Sequence, residues 1–319
     1  MTIWELPWAY FGIGAVWLTL MCFLVALPCS QLGTFLVLRR MSLVGDAISH
    51  SVLPGIVVAF LFVGDLASPW LLMGAALAGL LVTVIIEQIH QRTRIKQDSA
   101  IGIAFTSLFA LGVVLLSLYL DKVHLDQECV LEGSLGDILN YDTIALFGFD
   151  VPSPVVTMAV VAFFTMGIVV LFYRVLMLSS FDSGLAASFG YKPNVVHYCL
   201  MAFLSVVVVA AFQAVGAILV IALLILPGAT AYLCTHSLKK MLLIAGVHAL
   251  LSSLAGIYIH VWTDGNQSAA VVVAGLGLFL LAWLFGPADG LVIKGIHRKS
   301  VTLEAHLNEV HSSKSIRNL

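Results

Sequence analysis

Long apolar runs separated by short polar stretches account for most of this 319-residue chain. About 20 predominantly apolar residues let a helix cross the hydrocarbon of a bilayer. Nine runs meet that rule, at roughly 10–38, 42–63, 69–89, 100–120, 154–177, 195–213, 216–235, 241–262 and 269–286. Only Gln213-Ala214-Val215-Gly216 divides the sixth from the seventh. The first is longer than a bilayer needs, so it should tilt or open with an interfacial turn. Gly74, Gly79, Gly102, Gly112, Gly246, Gly256, Gly275 and Gly277 supply the small residues that membrane helices use to pack closely. These runs predict an all-α polytopic transmembrane bundle of about eight to nine spans over 1–293, with a short polar cytoplasmic tail over 294–319.

Composition supports a membrane protein. Hydrophobic residues make up 61% of the chain and charged ones 10%, with a mean hydropathy of +1.07. A soluble domain averages about 25% charged residues. No stretch is long and polar enough for a separate soluble domain, and no nucleic-acid partner is expected. Five cysteines stand at unrelated spacings without a CxxC pair, so they read as small packing residues rather than zinc or redox ligands. Val25-Ala26-Leu27-Pro28-Cys29 faintly resembles a lipoprotein cleavage site. No Lys or Arg precedes it, whereas a signal peptide opens on a basic segment, so the first run reads as a retained span.

Charge sets the orientation. Arg39, Arg40, Arg92, Arg94, Lys96, Arg174, Lys192, Lys239, Lys240, Lys294, Arg298, Lys299, Lys314 and Arg317 fall on one side of a nine-span chain, and Lys122 alone on the other. The positive-inside rule makes the crowded side cytoplasmic, with the N-terminus outside and the C-terminus inside. Glu5, Asp65, Asp121, Asp126, Glu128, Glu132, Asp137, Asp142, Asp150 and Asp264 fall on the outer side. Such a rim can concentrate cations by its field, or can simply be solvated loop. The long outer segment from Asp121 to Pro154 also holds His124, but its spacing fits no calcium loop or zinc motif, and a docking surface for another protein suits it better.

The chemistry concentrates in Arg39-Arg40-Met41-Ser42-Leu43-Val44-Gly45-Asp46-Ala47-Ile48-Ser49-His50-Ser51-Val52-Leu53-Pro54-Gly55-Ile56. Asp46 and His50 are four residues apart, on one helix face and about 6 Å apart along the axis. Pro54 has no N–H for the carbonyl of His50, so the helix is expected to kink there. Ionisable groups inside spans are costly and default to a functional reading. Carboxylate plus imidazole suits a first-row divalent metal, but two ligands are too few; two chains facing each other across a two-fold axis would supply four. The pair could instead relay protons in a stand-alone ion-coupled transporter, or simply hydrogen-bond to itself. An intramembrane hydrolase lacks support, since neither HExxH nor GxSxG is present. A stand-alone transporter would carry further acid–base pairs deep in other spans, and none is visible, because Glu87 sits near the end of its span. There is no G-x-x-x-x-G-K-[ST], so an ATP-driven version needs a separate ATPase.

Ser180-Phe181-Asp182-Ser183-Gly184-Leu185-Ala186-Ala187-Ser188-Phe189-Gly190-Tyr191-Lys192-Pro193 suits a short cytoplasmic helix. Ser180 or Asp182 can cap it, and Gly190 with Pro193 can end it. Phe181, Leu185 and Phe189 recur every four residues and would give one apolar face, for a partner's groove or for the chain's own bundle. His248 lies in the eighth span one turn from Ser252, and a hydrogen bond to it or to another neighbour is expected.

The segment Leu38 to Gly55 closely resembles the signature of membrane permease subunits of bacterial ATP-binding-cassette importers for manganese, zinc and iron, and is closer to the manganese/iron branch. Phe181 to Gly190 resembles that family's coupling helix, and Gln213 to Ala231 its later core spans. The resemblance covers most of residues 10–290. It implies a multi-pass protein of the bacterial plasma membrane, with eight or so spans, that is not itself an enzyme. A second copy or a paralogue, cytoplasmic ATP-binding subunits and an extracytoplasmic metal-binding protein would be its partners. Asp46 and His50 would coordinate the transported Mn, Zn or Fe ion, with no permanently bound cofactor. Phe181, Asp182, Leu185, Ala186, Phe189 and Gly190 would dock the ATPase.

Overall fold

The computed structural model of the chain describes residues 12–64, 69–119, 135, 143–146, 149–288 and 290–292. The helices are α1 (Ile13–Leu38), α2 (Val44–Val63), α3 (Pro69–Arg92), α4 (Gln97–Tyr119), α5 (Ser153–Leu171), α6 (Tyr173–Phe181), α7 (Ser183–Ser188), α8 (Pro193–Val215), α9 (Ala217–Cys234), α10 (Leu238–Thr263) and α11 (Gln267–Phe285). Among the described residues, nine of them are long and apolar enough to cross a membrane: all but α6 and α7. A division near Gly216 is therefore real. That glycine stands at φ +83, a conformation open to residues without a Cβ, and it separates α8 from α9 without a polar loop.

One expectation needs correction, and one small element is added to the fold. The fifth run does not continue to residue 177 as one span; α5 stops at Leu171 and α6 starts at Tyr173 after a break at Phe172. Neither Gly nor Pro marks that break, so an apolar run cannot show it. The small element is an addition to an all-α bundle. Thr143–Leu146 (β1) and Phe149–Pro152 (β2) form an antiparallel hairpin ahead of α5, with Ala145 opposite Asp150. Of the outer segment before it only Leu135 is described, and it is buried in the core. Glu5, Asp65, Asp121, His124, Asp126, Glu128, Glu132, Asp137 and Asp142 lie outside the described residues, as does the tail from 294.

The bundle is built around α1, whose Met21, Cys22, Val25, Cys29, Leu32 and Phe35 are all buried. α1 packs on α5, α9 and α10, and α9 and α10 on α11. A second group, α2, α3 and α4, joins this body mainly through α8, with α9 also touching α2. Small residues bring the backbones together, as expected where lipid removes the hydrophobic drive between helices. At Gly55 a Cβ would lie 2.2 Å from the carbonyl oxygen of Gly74, and at Gly74 one would lie 2.5 Å from that of Gly55. α2 and α3 thus touch backbone to backbone. Pro54 sits within α2, and Gly112 of α4 makes room for its ring, since a Cβ there would stand 2.8 Å from Pro54 Cδ.

Candidate metal site

Asp46 lies in the first turn of α2, where the exposed N–H groups favour an anion. One turn on, His50 Nε2 stands 3.3 Å from Asp46 Oδ1. From the other side the imidazole meets two rings of α4, Phe105 and Phe109, each with its centroid 5.8 Å away, the second edge to face. Ser49 donates to the carbonyl of Gly45. The two side chains are 32% and 33% exposed, an unusual openness for ionisable groups in a span.

Although the pair stands near the start of α2, it is far from the ends of the neighbouring helices. Phe105 and Phe109 are eight and twelve residues beyond Gln97, about 12 and 18 Å into α4 at 1.5 Å per residue. Ile48, between the two ligands, packs against Gly79 near the middle of α3. Helix α2 therefore begins deep in the bundle and carries Asp46 and His50 at mid-span. Among the described residues no third His, Cys, Asp or Glu converges on them to complete a metal-binding group. One copy of the chain offers a divalent ion two ligands and an open face.

A second polar assembly lies at the junction leading into α2. Arg39 Nη2 donates to Ser179 at 2.8 Å and its Nε to Ser180 at 3.1 Å, both on α6. Its Nη1 reaches His197 Nδ1 on α8 at 3.2 Å, and His197 Nε2 reaches Glu87 Oε2 on α3 at 3.1 Å. A guanidinium can only donate, so Nδ1 accepts and the imidazole proton is on Nε2, donated to Glu87. Burial pushes the Arg39 guanidinium down to about 10, which leaves it charged at neutral pH. His197 thus bridges the Arg39 guanidinium and the Glu87 carboxylate, tying the ends of α1, α3, α6 and α8. Glu87 sits near a helix end, and its partner is 110 residues away, so no local pattern signals it. Glu87→Ala leaves the His197 N–H without its acceptor at a site under 20% exposed. It is expected to cost ~1–3 kcal/mol, read as a lower unfolding midpoint in detergent. In a double-mutant cycle with His197→Ala the two losses should not add; full additivity would mean the bond contributes nothing.

The short helix expected around Phe181 to Gly190 is found, with altered bounds. Asp182 is its N-cap and accepts from Leu185 N–H at 2.9 Å; Phe189 is its C-cap, and Gly190 follows at φ +83. Phe181 belongs to the end of α6, and the extended backbone at Asp182 breaks the four-residue periodicity, so the three apolar residues do not share one helical face. All three are nonetheless exposed (Phe181 56%, Leu185 45%, Phe189 67%), while Ala186 is fully buried. The segment is anchored by Ala186 and does not fold its large apolar side chains onto its own bundle.

His248 departs from expectation. Ser252 donates to the carbonyl of Ala249, and both ring nitrogens of His248 are buried without a partner among the described residues. Its neighbour is Gly275, where a Cβ would stand 3.4 Å from Nε2.

With this geometry in place, comparison with known proteins is specific. The family model described as "ABC 3 transport family" matches residues 13–286. The chain is 39% identical over 271 residues to the manganese transport system membrane protein MntC of Halalkalibacterium halodurans, covering 85% of this chain and 87% of that one. It is 38% identical over 285 residues to the zinc transport system membrane protein TroD of Treponema pallidum, covering 89% of this chain and 77% of that one. Among solved structures, PsaBC from Streptococcus pneumoniae in complex with Fab superposes with a TM-score of 0.70 at 32% identity, over 86% of this chain and 92% of that chain.

Proposed function

The chain belongs to the ABC 3 transport family and is a multi-pass bacterial membrane protein, and from that premise we propose that it is the permease subunit of an ATP-driven importer of Mn, Zn or Fe. The observation that carries the reading is the Asp46–His50 pair, held at mid-span with an open face and too few ligands to close a site. A second copy, or a paralogue, facing it across a two-fold axis would bring the set to two carboxylates and two imidazoles. Relatives named for manganese and for zinc fit such a donor set, which accepts first-row divalent ions without choosing strongly among them. The basic connectors orient the protein with its N-terminus outside and α7 in the cytoplasm. An extracytoplasmic metal-binding protein would deliver the ion, and a cytoplasmic ATP-binding subunit would supply the energy.

In this reading Asp46 and His50 hold the ion transiently. Mixed oxygen and nitrogen ligands, partly exposed, bind well enough to admit it and loosely enough to release it, as conduction requires. The ATPase would grip Phe181, Leu185 and Phe189. The Arg39–His197–Glu87 relay starts from the same junction that leads into Asp46 and also holds Ser179 and Ser180 just before Phe181, so it supplies a rigid link from dock to site.

The test is accumulation of Mn, Zn and Fe, alone and in competition, by cells lacking their own importers and expressing this chain with its ATPase and binding protein. Uptake should require all three components. An ion-coupled stand-alone transporter, for which the Glu87–His197 pair is the one favouring observation, would instead accumulate metal without the ATPase. For the dock, Phe181→Ser with Phe189→Ser removes exposed apolar area while leaving Ala186 in place. Co-purification of the ATPase should fall at least tenfold with the permease level unchanged, as expected when buried aromatic anchors are lost. Undiminished co-purification would place the dock elsewhere.

A further inference from the structure

Two cavities remote from Asp46 and His50 share a wall. One is a groove of about 600 Å³ between α1, α5 and α10, lined by apolar side chains such as Phe23, Leu27, Val170, Leu243 and Val247. Val170 and Leu243 are 70% and 69% exposed, so the groove opens sideways into lipid. The other, about 640 Å³, lies where α6 and Leu185 meet the start of α10. Tyr173 and Lys239 line both, so the apolar groove runs directly into the polar one. The polar cavity holds Arg174, His236 and Lys239, all exposed. Its one carboxylate, Asp182, already accepts from Leu185 N–H. Among the described residues neither Arg174 nor Lys239 forms an ion pair.

We propose that the joined cavities bind one anionic phospholipid of the membrane, its phosphate between Arg174, His236 and Lys239 and an acyl chain along the groove. A soluble phosphate would use the basic end alone; the continuous lipid-facing groove behind it is what selects a lipid. Unpaired basic groups at a membrane rim attract anionic head groups, and the long side chains of Arg and Lys reach that level while their stems stay on apolar surface. The groove's helices pack on α1, whereas the metal pair is held by α2 and α4, so the two sites are separate. The head-group end also touches Phe181 and Leu185, so bound lipid would brace the proposed ATPase dock.

The experiment needs neither metal nor ATP, so its failure is distinguishable from failure of the transport reading. The full-length chain is extracted from vesicles of phosphatidylcholine alone or mixed with phosphatidylglycerol, and retained lipid is read by native mass spectrometry. The wild type should retain phosphatidylglycerol in preference to phosphatidylcholine. Arg174→Gln with Lys239→Gln should reduce that preference roughly 30-fold, the effect of two basic groups at a membrane surface. Lys240→Gln, next in sequence but outside both cavities, should leave it intact. Val247→Trp, which fills the groove, should lower retention of both lipids without changing their ratio. Equal retention of the two lipids by the wild type would overturn the proposal, as would an unchanged preference in the double variant. Inorganic phosphate displacing the lipid as well as phosphatidylglycerol does would reduce the site to a phosphate pocket.

Discussion

Asp46→Ala should abolish metal uptake while leaving the protein in the membrane. In a two-fold assembly the substitution removes two of four ligands and both negative charges at once. A divalent ion would then face two neutral imidazoles in a medium of low dielectric, where uncompensated charge is most costly. Losing even an outer-sphere partner of a metal ligand costs 10–100-fold, so loss of the ligand itself should lower uptake by roughly 100-fold or more. The fold should survive, because Asp46 is 32% exposed and, among the described residues, its side chain pairs with His50. Its unfolding midpoint in detergent should match the wild type, as surface-like substitutions change stability by about 0.5 kcal/mol or less. His50→Ala should lose uptake too, with a small stability penalty from the contacts to Phe105 and Phe109. Asp46→Asn keeps the shape and removes only the charge, which separates electrostatics from packing. Full transport by Asp46→Ala would reduce the pair to an intrahelical contact and move the site elsewhere.

What could be read in advance follows from distance along the chain. The Asp46–His50 pair was legible because both residues lie within one helical turn, and the nine spans because each apolar run is long enough to see. Gly216 was legible as a divider although the residues around it are apolar. The Arg39–His197–Glu87 relay was not, since its members are separated by 158 and 110 residues and each is unremarkable alone. The break at Phe172 carries no Gly or Pro, and the shift of Phe181 onto α6 follows from an extended backbone at Asp182 that periodicity ignores. His248 departs for another reason: a serine one turn away is near in sequence, but its hydroxyl is turned to donate to the carbonyl of Ala249 and makes no bond to the ring. Local pattern locates a pair on one helix; contacts between helices are set by packing that no window on the sequence contains.

The other large effect belongs to that packing. Gly33→Val is expected to eliminate the folded protein. A Cβ at Gly33 would stand 1.8 Å from the carbonyl oxygen of Leu224 and 2.7 Å from its carbon, where ordinary contact begins at 3.4 Å. The obstacle is backbone, so no rotamer relieves it, and α1 and α9 must part by about 1.6 Å, the difference of those two distances. Gly228 lies against the same turn of α1, with its own Cβ position 3.2 Å from Gly33, so the strain cannot be passed one turn along. Overpacking of this kind costs about 1–3 kcal/mol or more, and within lipid no hydrophobic gain offsets the lost contact. The damage would reach the candidate metal site, because the side chain of Leu224 also fills the space over Gly45, beside Asp46, at 2.5 Å from its Cβ position. Gly102→Ala and Gly277→Ala provide the contrast, since a Cβ at either meets nothing within 4 Å. Both should be neutral, or stabilising by up to ~1 kcal/mol through helix propensity. Membrane yield and unfolding midpoint in detergent would compare the three. Gly33→Val should be absent or strongly destabilised, and so lose uptake for a different reason from Asp46→Ala, which is present but inert. Normal yield and stability in Gly33→Val would mean that α1 and α9 are not in backbone contact, and that the placement of Leu224 over the start of α2 is wrong with it.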